Sequence, residues 1–346
     1  MEKRTLEKWF CLLFLMAMVT LNWHAVASAI DQAVIDGAKK EGKFVWYTSM
    51  PTEPAVEYLK AFKAKYPFLD VSEFFRSTSM TVWSRLETEY KAGKAIADVL
   101  HIAALPPYMK MVDEGWLMKF DSPVYNEYPK EYAHPGYYAA FRCFAMIGGY
   151  NKEVLSPKEV PKTWKELANP RWKGKLGVEP GSSGAQAVIY YTIKELLGSQ
   201  YWEQFARNKP KVYTGTGATT VALLRGEIDI ATCYYGYAVY EERELKKSPI
   251  MGIWFEEGVP RVDAPMGILK NAPHPNSAKL FLEWALSKEG QTRMVEVVGS
   301  YSARLDVPPA KNNPPPTKFK SLQVKDMKEF MGVLNKFPEI WKGIVE

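Results

Sequence analysis

The fold is decided by residues 43–62, KFVWYTSMPTEPAVEYLKAF. Their first part, Phe44–Thr48, is a short run of aromatic and β-branched residues, which predicts a buried strand. Their second part has apolar residues at helical spacing, which predicts an amphipathic helix over Pro51–Tyr66. A buried strand followed directly by such a helix is the repeating unit of an α/β protein.

Similar strand–helix pairs recur along the chain. Two more follow the first pair, and a second series begins near Lys175. The predicted strands are Val71–Phe75, Asp98–Ala103, Lys175–Glu179, Val212–Thr214, Ile228–Tyr234 and Val262–Leu269, and the predicted helices are Asp31–Lys40, Thr81–Lys91, Pro107–Glu114, Ala185–Leu197, Thr219–Arg225, Ala238–Lys246, Pro275–Leu286, Glu289–Val298 and Val324–Asn335. This alternation predicts an α/β protein of two lobes, each with a mostly parallel sheet flanked by helices.

Two apolar segments, Cys143–Gly149 and Val262–Gly267, connect the two series and are expected to act as hinges. The expected lobe I comprises residues 30–145 and 263–300, lobe II comprises residues 146–262, and residues 301–346 form a C-terminal tail and helix. The expected ligand site is the cleft between the lobes, because ligands of open α/β sheets bind beyond the carboxyl ends of the strands.

The first 29 residues have the pattern of an export signal. Basic residues precede the apolar run Trp9–Leu21, and small residues follow at 27–29. The run is shorter than the roughly 20 apolar residues that span a bilayer. We therefore expect a cleaved signal peptide over residues 1–29, with cleavage near Ala29.

Composition and motifs exclude several function classes. The net charge of +6 is spread along the chain without a basic run, so nucleic acid is not an expected partner. The HExxH and CxxC patterns of metal sites and the phosphate-binding P-loop pattern are missing. Gly181–Gly184 falls short of the serine elbow GxSxG, which argues against an exported hydrolase. We expect no enzyme activity and no cofactor. Cys143 and Cys233 are expected to be buried free thiols, with a disulfide as the alternative.

The loops that follow the predicted strands hold the candidate ligand site. Glycine and small hydroxyl residues there let backbone N–H groups approach a ligand, and helix N-termini favour anions. The candidate ligand-binding residues are Ser49, Met50, Arg76, Ser77, Ser79, Ala104, Ser182, Ser183, Gly184, Thr216, Tyr234 and Tyr235. Arg76 is the charged member of this set, and its planar fork suits a carboxylate or a phosphonate. The set predicts a pocket for a small anion.

Several short motifs carry a resemblance to a known family. They are VWYTS at 45–49, ADV at 97–99, YNK at 150–152, PKTWKEL at 161–167, WKGK at 172–175, GEID at 226–229, APHPNSA at 272–278 and SKEGQ at 287–291. In this order and spacing, the chain resembles the periplasmic solute-binding proteins of ABC importers, in the branch that contains the ferric-ion-binding and phosphonate-binding proteins. The resemblance implies a two-lobed, type II periplasmic-binding-protein fold that closes on its solute.

The resemblance also implies a location and partners. It implies a periplasmic monomer that binds a small anionic or carboxylate-bearing solute and delivers it to a membrane permease and its ATPase. A sensory binding protein that presents its ligand to a membrane receptor is an alternative that the sequence leaves open.

Ferric iron is the alternative ligand. Ferric-binding members of the family use a histidine after the first strand, a glutamate after the third, and an adjacent tyrosine pair in the second lobe. Here Pro51 stands near the histidine position and Ala103–Ala104 near the glutamate position. Three-tyrosine iron sites also exist in the family, so Fe³⁺ held by Tyr150, Tyr234 and Tyr235 is a second hypothesis, and no metal is favoured.

Overall fold

The structure is a computed structural model that describes residues 30–346. The expected signal peptide over residues 1–29 and its cleavage near Ala29 lie outside the described residues. Within residues 30–346, no helix is both long enough and apolar enough to cross a membrane.

The predicted strands and helices follow one another in the predicted order, and the structure adds four strands and one helix that were not predicted. The strands are β1 (Trp46–Thr48), β2 (Phe74–Arg76), β3 (Val99–His101), β4 (Ala133–His134), β5 (Tyr138–Asn151), β6 (Leu176–Val178), β7 (Lys211–Val212), β8 (Ile230–Tyr235), β9 (Ile250–Ile253), β10 (Val259–Ile268) and β11 (Ser321–Leu322). The helices are α1 (Gln32–Glu41), α2 (Thr52–Lys65), α3 (Ser79–Lys91), α4 (Leu105–Asp113), α5 (Gly184–Leu197), α6 (Ser199–Ala206), α7 (Gly215–Leu224), α8 (Gly236–Tyr240), α9 (Pro275–Leu286), α10 (Lys288–Val298) and α11 (Met327–Val345). A π-helical turn, Glu241–Leu245, continues α8.

The first three strands form a parallel sheet, as the sequence predicts. Trp46 of β1 pairs with Phe74 of β2 on one side and with Val99 of β3 on the other. The helix α2 packs its apolar face on this sheet, and the ring of Phe62 contacts that of Phe44 with centroids 5.7 Å apart. The carboxyl ends of all three strands therefore meet at one edge.

Two long strands join this sheet to the rest of the molecule. β10 runs antiparallel to both β3 and β5, and β5 continues antiparallel to β8. The resulting order is β2-β1-β3-β10-β5-β8-β6-β7, with β6 parallel to both β7 and β8. The sheet is thus mixed, with parallel strands toward both ends and antiparallel strands in the centre. The two predicted hinge segments lie on β5 and β10.

Alternate residues of β5 enter two different hydrophobic clusters. Phe141, Cys143 and Ala145 belong to one cluster, and Phe144 and Met146 belong to the other. Successive side chains of a strand point to opposite faces, so β5 supplies one face to each cluster. All 14 residues of β5 are buried, which explains why its sequence is nearly continuously apolar.

Cys143 and Cys233, the two cysteines among residues 30–346, are buried free thiols. Cys143 lies in the first of these clusters and Cys233 in the second. Burial raises the pKa of both thiols well above the ordinary value, so neither is activated for reaction.

The C-terminal helix is longer than the predicted Val324–Asn335. α11 ends at Val345 and includes Pro338. A proline inside a helix removes one backbone hydrogen bond and normally breaks or kinks the helix. Here Phe337 and Trp341 flank the proline and are buried in the cluster that contains Phe144, so tertiary packing maintains the helix.

Candidate functional site

The loops after β1 and β3 are tied together by serine side chains. The backbone N–H of Ala103 donates to the Oγ atoms of Ser49 (3.2 Å) and Ser79 (3.1 Å). Ala104 follows directly and precedes the first residue of α4. Three predicted site residues, Ser49, Ser79 and Ala104, therefore lie together where the helices α3 and α4 begin, a location that favours anions.

Arg76 ends β2 beside this loop cluster. Its side chain is exposed, and its Nε donates to the carbonyl oxygen of Met50 at 3.1 Å. The next residue, Ser77, donates its backbone N–H to the carbonyl oxygen of Thr48. The side chain of Met50 is fully buried in the core, so Met50 contributes its backbone and not its side chain to this part of the site.

The strongest candidate residue, Arg142, was not among those predicted from the sequence. It lies on β5 and is only 2% exposed. Its Nε donates to Nε2 of His101 (3.3 Å), and its guanidinium lies 4.7 Å from the ring centroid of Phe144. Its Nη1 has no hydrogen-bond partner among residues 30–346. By contrast Arg304, which is buried to a similar degree, is paired with Asp306 at 2.9 Å.

The charge of Arg142 is desolvated but retained. Burial lowers the pKa of Arg142 to about 10, Tyr237 opposes this shift, and Arg76 adds to it. The group therefore stays protonated at neutral pH. A buried, unpaired cation is unfavourable by itself and is stabilised by an anion that reaches it.

Aromatic side chains form a wall beside this cation. Tyr235 packs on Phe144 and Tyr237, with ring centroids 6.1 Å and 5.1 Å apart. Burial raises the pKa of Tyr237 to about 12, against the opposing effects of Arg142 and of a hydrogen bond with Thr216. Tyr237 therefore stays neutral, and it lies near both Arg142 and the start of α7, where the predicted residue Thr216 lies.

The loop after β6 is held mainly by internal hydrogen bonds. The hydroxyl of Ser183 donates to the buried carboxylate of Glu179 at 2.5 Å and accepts from the backbone N–H of Gln186 at 3.3 Å. Ser183 thereby caps α5, which begins at Gly184, while Ser182 is exposed in the turn. The hydroxyl of Ser183 is already engaged, so Ser182 and the backbone at Gly184 are the groups of this loop left for a ligand.

The C-terminal helix supports the same loop. The indole N–H of Trp341 donates to the carbonyl oxygen of Glu179 at 2.8 Å. A side chain at Gly181 would place its Cβ 2.9 Å from Cα of Pro338, so only glycine allows this close approach. The tail that follows residue 301 is therefore part of the support of the site.

Tyr234 and Tyr235 point to opposite faces of β8. Tyr234 is fully buried, and its hydroxyl forms a hydrogen bond of 2.5 Å with that of Thr220. It points away from the aromatic wall that contains Tyr235. Both tyrosines are candidate site residues, and because neighbouring side chains of a strand alternate, Tyr235 is the one that faces the aromatic wall.

Tyr150 lies far from this pair. On the β5–β8 ladder, Tyr150 is opposite Ile230 and Met146 is opposite Tyr235. Four residues of extended strand separate the two levels, roughly 13 Å at the usual rise. The tyrosines Tyr150, Tyr234 and Tyr235 therefore do not converge on one ion in this structure.

One signal in the sequence pointed to Arg142. It is the only charged residue of the apolar stretch Tyr138–Gly149. A lone charge in a strand that is buried on both faces needs a partner or a ligand. For Phe144 and Tyr237 the sequence holds no comparable signal, since apolar and aromatic residues are common throughout the chain.

The sequence matches a known family. The bacterial extracellular solute-binding proteins match it over residues 95–329. An uncharacterized protein of Haemophilus influenzae is 30% identical over 287 residues, which are 79% of this chain and 81% of that protein.

Two further relatives are named for different ligands. A Fe(3+)-binding periplasmic protein of Serratia marcescens is 24% identical over 54% of this chain and 57% of its own length. A periplasmic protein of Salmonella typhimurium named for binding 2-aminoethylphosphonate is 25% identical over 46% of this chain and 50% of its own length. Each alignment thus spans a little more or less than half of this chain.

Solved structures share the fold. Iron-bound HitA from Pseudomonas aeruginosa superposes with a TM-score of 0.75 at 20% identity, covering 87% of this chain and 99% of HitA. AfuA from Actinobacillus pleuropneumoniae, with exogenous fructose-6-phosphate bound, has a TM-score of 0.72 at 21% identity and covers 88% of this chain and 99% of AfuA. The predicted α/β periplasmic-binding-protein fold is confirmed.

Family membership also settles the general class of activity. The members are solute-binding proteins and not enzymes, as the sequence predicts. Relatives of this chain are periplasmic proteins. The extent of the match, more than half of the sequence, is sufficient to assign it: the chain belongs to the family of bacterial extracellular solute-binding proteins.

Proposed function

We propose that this protein captures a small anionic solute between two lobes and delivers it to an ABC permease and its ATPase in the inner membrane. The observation that carries the proposal is the guanidinium of Arg142, which is 2% exposed and whose Nη1 has no partner within the described part of the chain. An anion at this position would supply the missing hydrogen-bond acceptor and neutralise a desolvated charge. Carboxylate, phosphate and phosphonate groups all have the required geometry.

The proposed site draws on both expected lobes. Arg76 and His101 belong to lobe I (residues 30–145 and 263–300), and Tyr237 belongs to lobe II (residues 146–262). Arg142 lies on β5, which spans the expected boundary between the lobes at residues 145 and 146. A solute bound to Arg142 would therefore contact groups of both lobes, which is what closure requires.

The experiment that tests the function is a calorimetric titration with defined anions. Inorganic phosphate, 2-aminoethylphosphonate, fructose 6-phosphate and citrate present the candidate groups on carriers of different size, and uncharged fructose is the control. We expect saturable 1:1 binding of at least one anion and none of fructose. Binding of fructose with no response to the four anions would contradict the proposal. Uptake of the bound solute by cells with and without the permease then distinguishes import from sensing.

Closure is the first prediction. The crossing segments Cys143–Gly149 and Val262–Gly267 are expected to act as hinges, because a few residues at the ends of elements can absorb a domain rotation. Small-angle X-ray scattering of the protein saturated with the tightest-binding anion should show a smaller radius of gyration than that of the free protein. An unchanged radius at saturation would exclude a moving cleft.

Replacing Arg76 gives the second prediction. We expect Arg76→Ala to weaken anion binding by at least tenfold, which is about 1.4 kcal/mol. The unfolding midpoint of the free protein should change little, because Arg76 is exposed and its side chain donates to one carbonyl oxygen. Arg76→Lys should recover part of the affinity, since it keeps the charge but loses the fork. Titration of both variants measures this, and wild-type affinity in Arg76→Ala would assign Arg76 a structural role.

The ferric alternative gives the third prediction. Ferric-binding relatives justify testing Fe³⁺, but Tyr150, Tyr234 and Tyr235 do not converge, and Tyr234 is hydrogen-bonded to Thr220 inside the core. We expect no phenolate-to-iron charge-transfer band when stoichiometric ferric citrate is added. Tyr213 lies outside the site, so Tyr213→Phe is the control. A strong visible band that persists in Tyr213→Phe but disappears in Tyr235→Phe would make ferric iron a better-supported ligand than an organic anion.

A further inference from the structure

His101 is a fully buried histidine at the end of β3. It lies between two polar side chains, with Nδ1 2.8 Å from Oγ1 of Thr48 and Nε2 3.3 Å from Nε of Arg142. The rings of Trp46 and Phe141 pack around the imidazole at centroid distances of 6.0 Å and 4.9 Å. The imidazole is thus held at both nitrogens and surrounded by aromatic rings.

The neighbours of His101 determine its tautomer. Arg142 Nε carries a proton and can only donate, so Nε2 of His101 must be the acceptor. The proton of the neutral ring then resides on Nδ1 and is donated to Oγ1 of Thr48. That oxygen also accepts the backbone N–H of Met50 at 3.0 Å, which fixes the threonine rotamer. Burial and the nearby Arg142 lower the pKa of His101 well below its ordinary value, so the neutral ring is the stable form.

The guanidinium of Arg142 is held by this histidine. Its Nε is bound by His101, and one of its faces lies on the ring of Phe144. These two contacts fix the edge and the plane of the guanidinium, and Nη1 is buried without a partner among residues 30–346. A flexible arginine would lose side-chain entropy when it binds an anion, whereas one already held in place loses less.

We propose that His101 is a positioning residue for solute binding. As the Nδ1-protonated tautomer, His101 accepts a hydrogen bond from Nε of Arg142 and holds the guanidinium in the orientation that binds the anion. The inference rests on the proposed function, in which Arg142 receives the anionic group of the solute. In its support, the hydrogen-bonded series Met50–Thr48–His101–Arg142 connects the loop after β1, where Arg76 is also bound, to the central strand β5.

The first test needs no solute. Long-range ¹H–¹⁵N correlation spectra of the histidine side chains should show His101 as the Nδ1-protonated tautomer, and the Nε–H signal of Arg142 should be protected from exchange with solvent. The wild type should show this protected signal, and so should His101→Gln, because the amide oxygen of glutamine can accept from Arg142. In His101→Leu the protection should be lost. An Nε2-protonated His101 would overturn the inference whatever the solute is.

The second test is a double-mutant cycle with the tightest-binding anion of the panel above. We expect His101→Leu to weaken anion binding at least tenfold, and we expect the affinity of His101→Gln to stay within about threefold of the wild type (~0.7 kcal/mol). In an Arg142→Met background, His101→Leu should cause no further loss of affinity. An equal loss in both backgrounds would show that His101 acts on folding and not through Arg142. If wild type and Arg142→Met bind equally, the proposed function fails, whereas the spectra still decide the contact between His101 and Arg142.

Discussion

Arg142→Met should abolish high-affinity anion binding while changing the stability of the free protein little. Removing one partner of a desolvated, charge-assisted contact typically costs about 2–5 kcal/mol of binding free energy, which is a loss of roughly thirtyfold or more. In the free protein, the guanidinium is buried with an unpartnered Nη1. Methionine has similar length and no charge to desolvate, so the substitution removes an unfavourable term, which offsets the lost hydrogen bond to Nε2 of His101.

Two measurements are required. Calorimetric titration with the best anion of the panel gives the affinity, and urea unfolding of the free protein gives the stability. Arg304→Met is the matched control, because Arg304 is also buried but donates to Asp306 and packs near Tyr128, away from the candidate site. It should lower stability and leave affinity unchanged. Undiminished anion binding by Arg142→Met would remove the observation on which the proposed function rests.

The alternating elements were predictable because the signals that specify them are local. The helix Pro275–Leu286 was predicted with the bounds that the structure shows, since Pro275 begins it and apolar residues recur at helical spacing. The part of α11 beyond Asn335 was missed for the opposite reason. Local rules end a helix near Pro338, whereas the packing of Trp341 on the second cluster depends on residues far away in the sequence.

The site was only partly predictable, because the pairing of strands and the neighbours of a residue inside a strand depend on distant parts of the sequence. The rule that ligands bind at the carboxyl ends of strands located the loops that contain Ser49 and Ser79. It could not locate Arg142, which lies within a strand and whose side chain reaches His101 of β3 across the intervening strand β10. Nor could it decide between Tyr234 and Tyr235, because the pairing of β8 with β5 determines which one faces the aromatic wall.

One buried carboxylate gives three of the family motifs a shared structural role. Asp98, from the motif ADV, is fully buried and receives hydrogen bonds at both carboxylate oxygens. Oδ2 accepts from the backbone N–H of Val45 (2.7 Å) and from Nδ1 of His274 (2.9 Å), and Oδ1 accepts from the backbone N–H of His274 (2.6 Å). One carboxylate thus joins the motifs at 45–49, 97–99 and 272–278. Motifs that identify the family therefore report the fold and say little about the ligand.

Asp98→Ala should be the most destabilising single substitution that these motifs offer. It leaves the backbone N–H groups of Val45 and His274 without their acceptor, the fully buried carboxylate of Asp98. Each unsatisfied buried donor costs about 1–3 kcal/mol, so we expect a loss of about 2–6 kcal/mol in the free energy of unfolding. Urea unfolding measures this loss. Asp98→Asn keeps the shape of the side chain and one acceptor oxygen, so its loss of unfolding free energy should be smaller. This loss can be measured even where Asp98→Ala does not fold.

Asp229→Ala is the matched control for this prediction. Asp229 also precedes a strand and belongs to a family motif, but its partner is the exposed ammonium group of Lys175 at 2.9 Å. A surface ion pair contributes at most about 1 kcal/mol, so the control should change stability little. Anion affinity of the folded protein should stay at the wild-type value in Asp229→Ala and in Asp98→Asn, because neither residue contacts Arg142 or the aromatic wall. Equal losses of stability in Asp98→Ala and Asp229→Ala would contradict the prediction. They would show that the buried carboxylate of Asp98 and its hydrogen bonds do not join the three motifs.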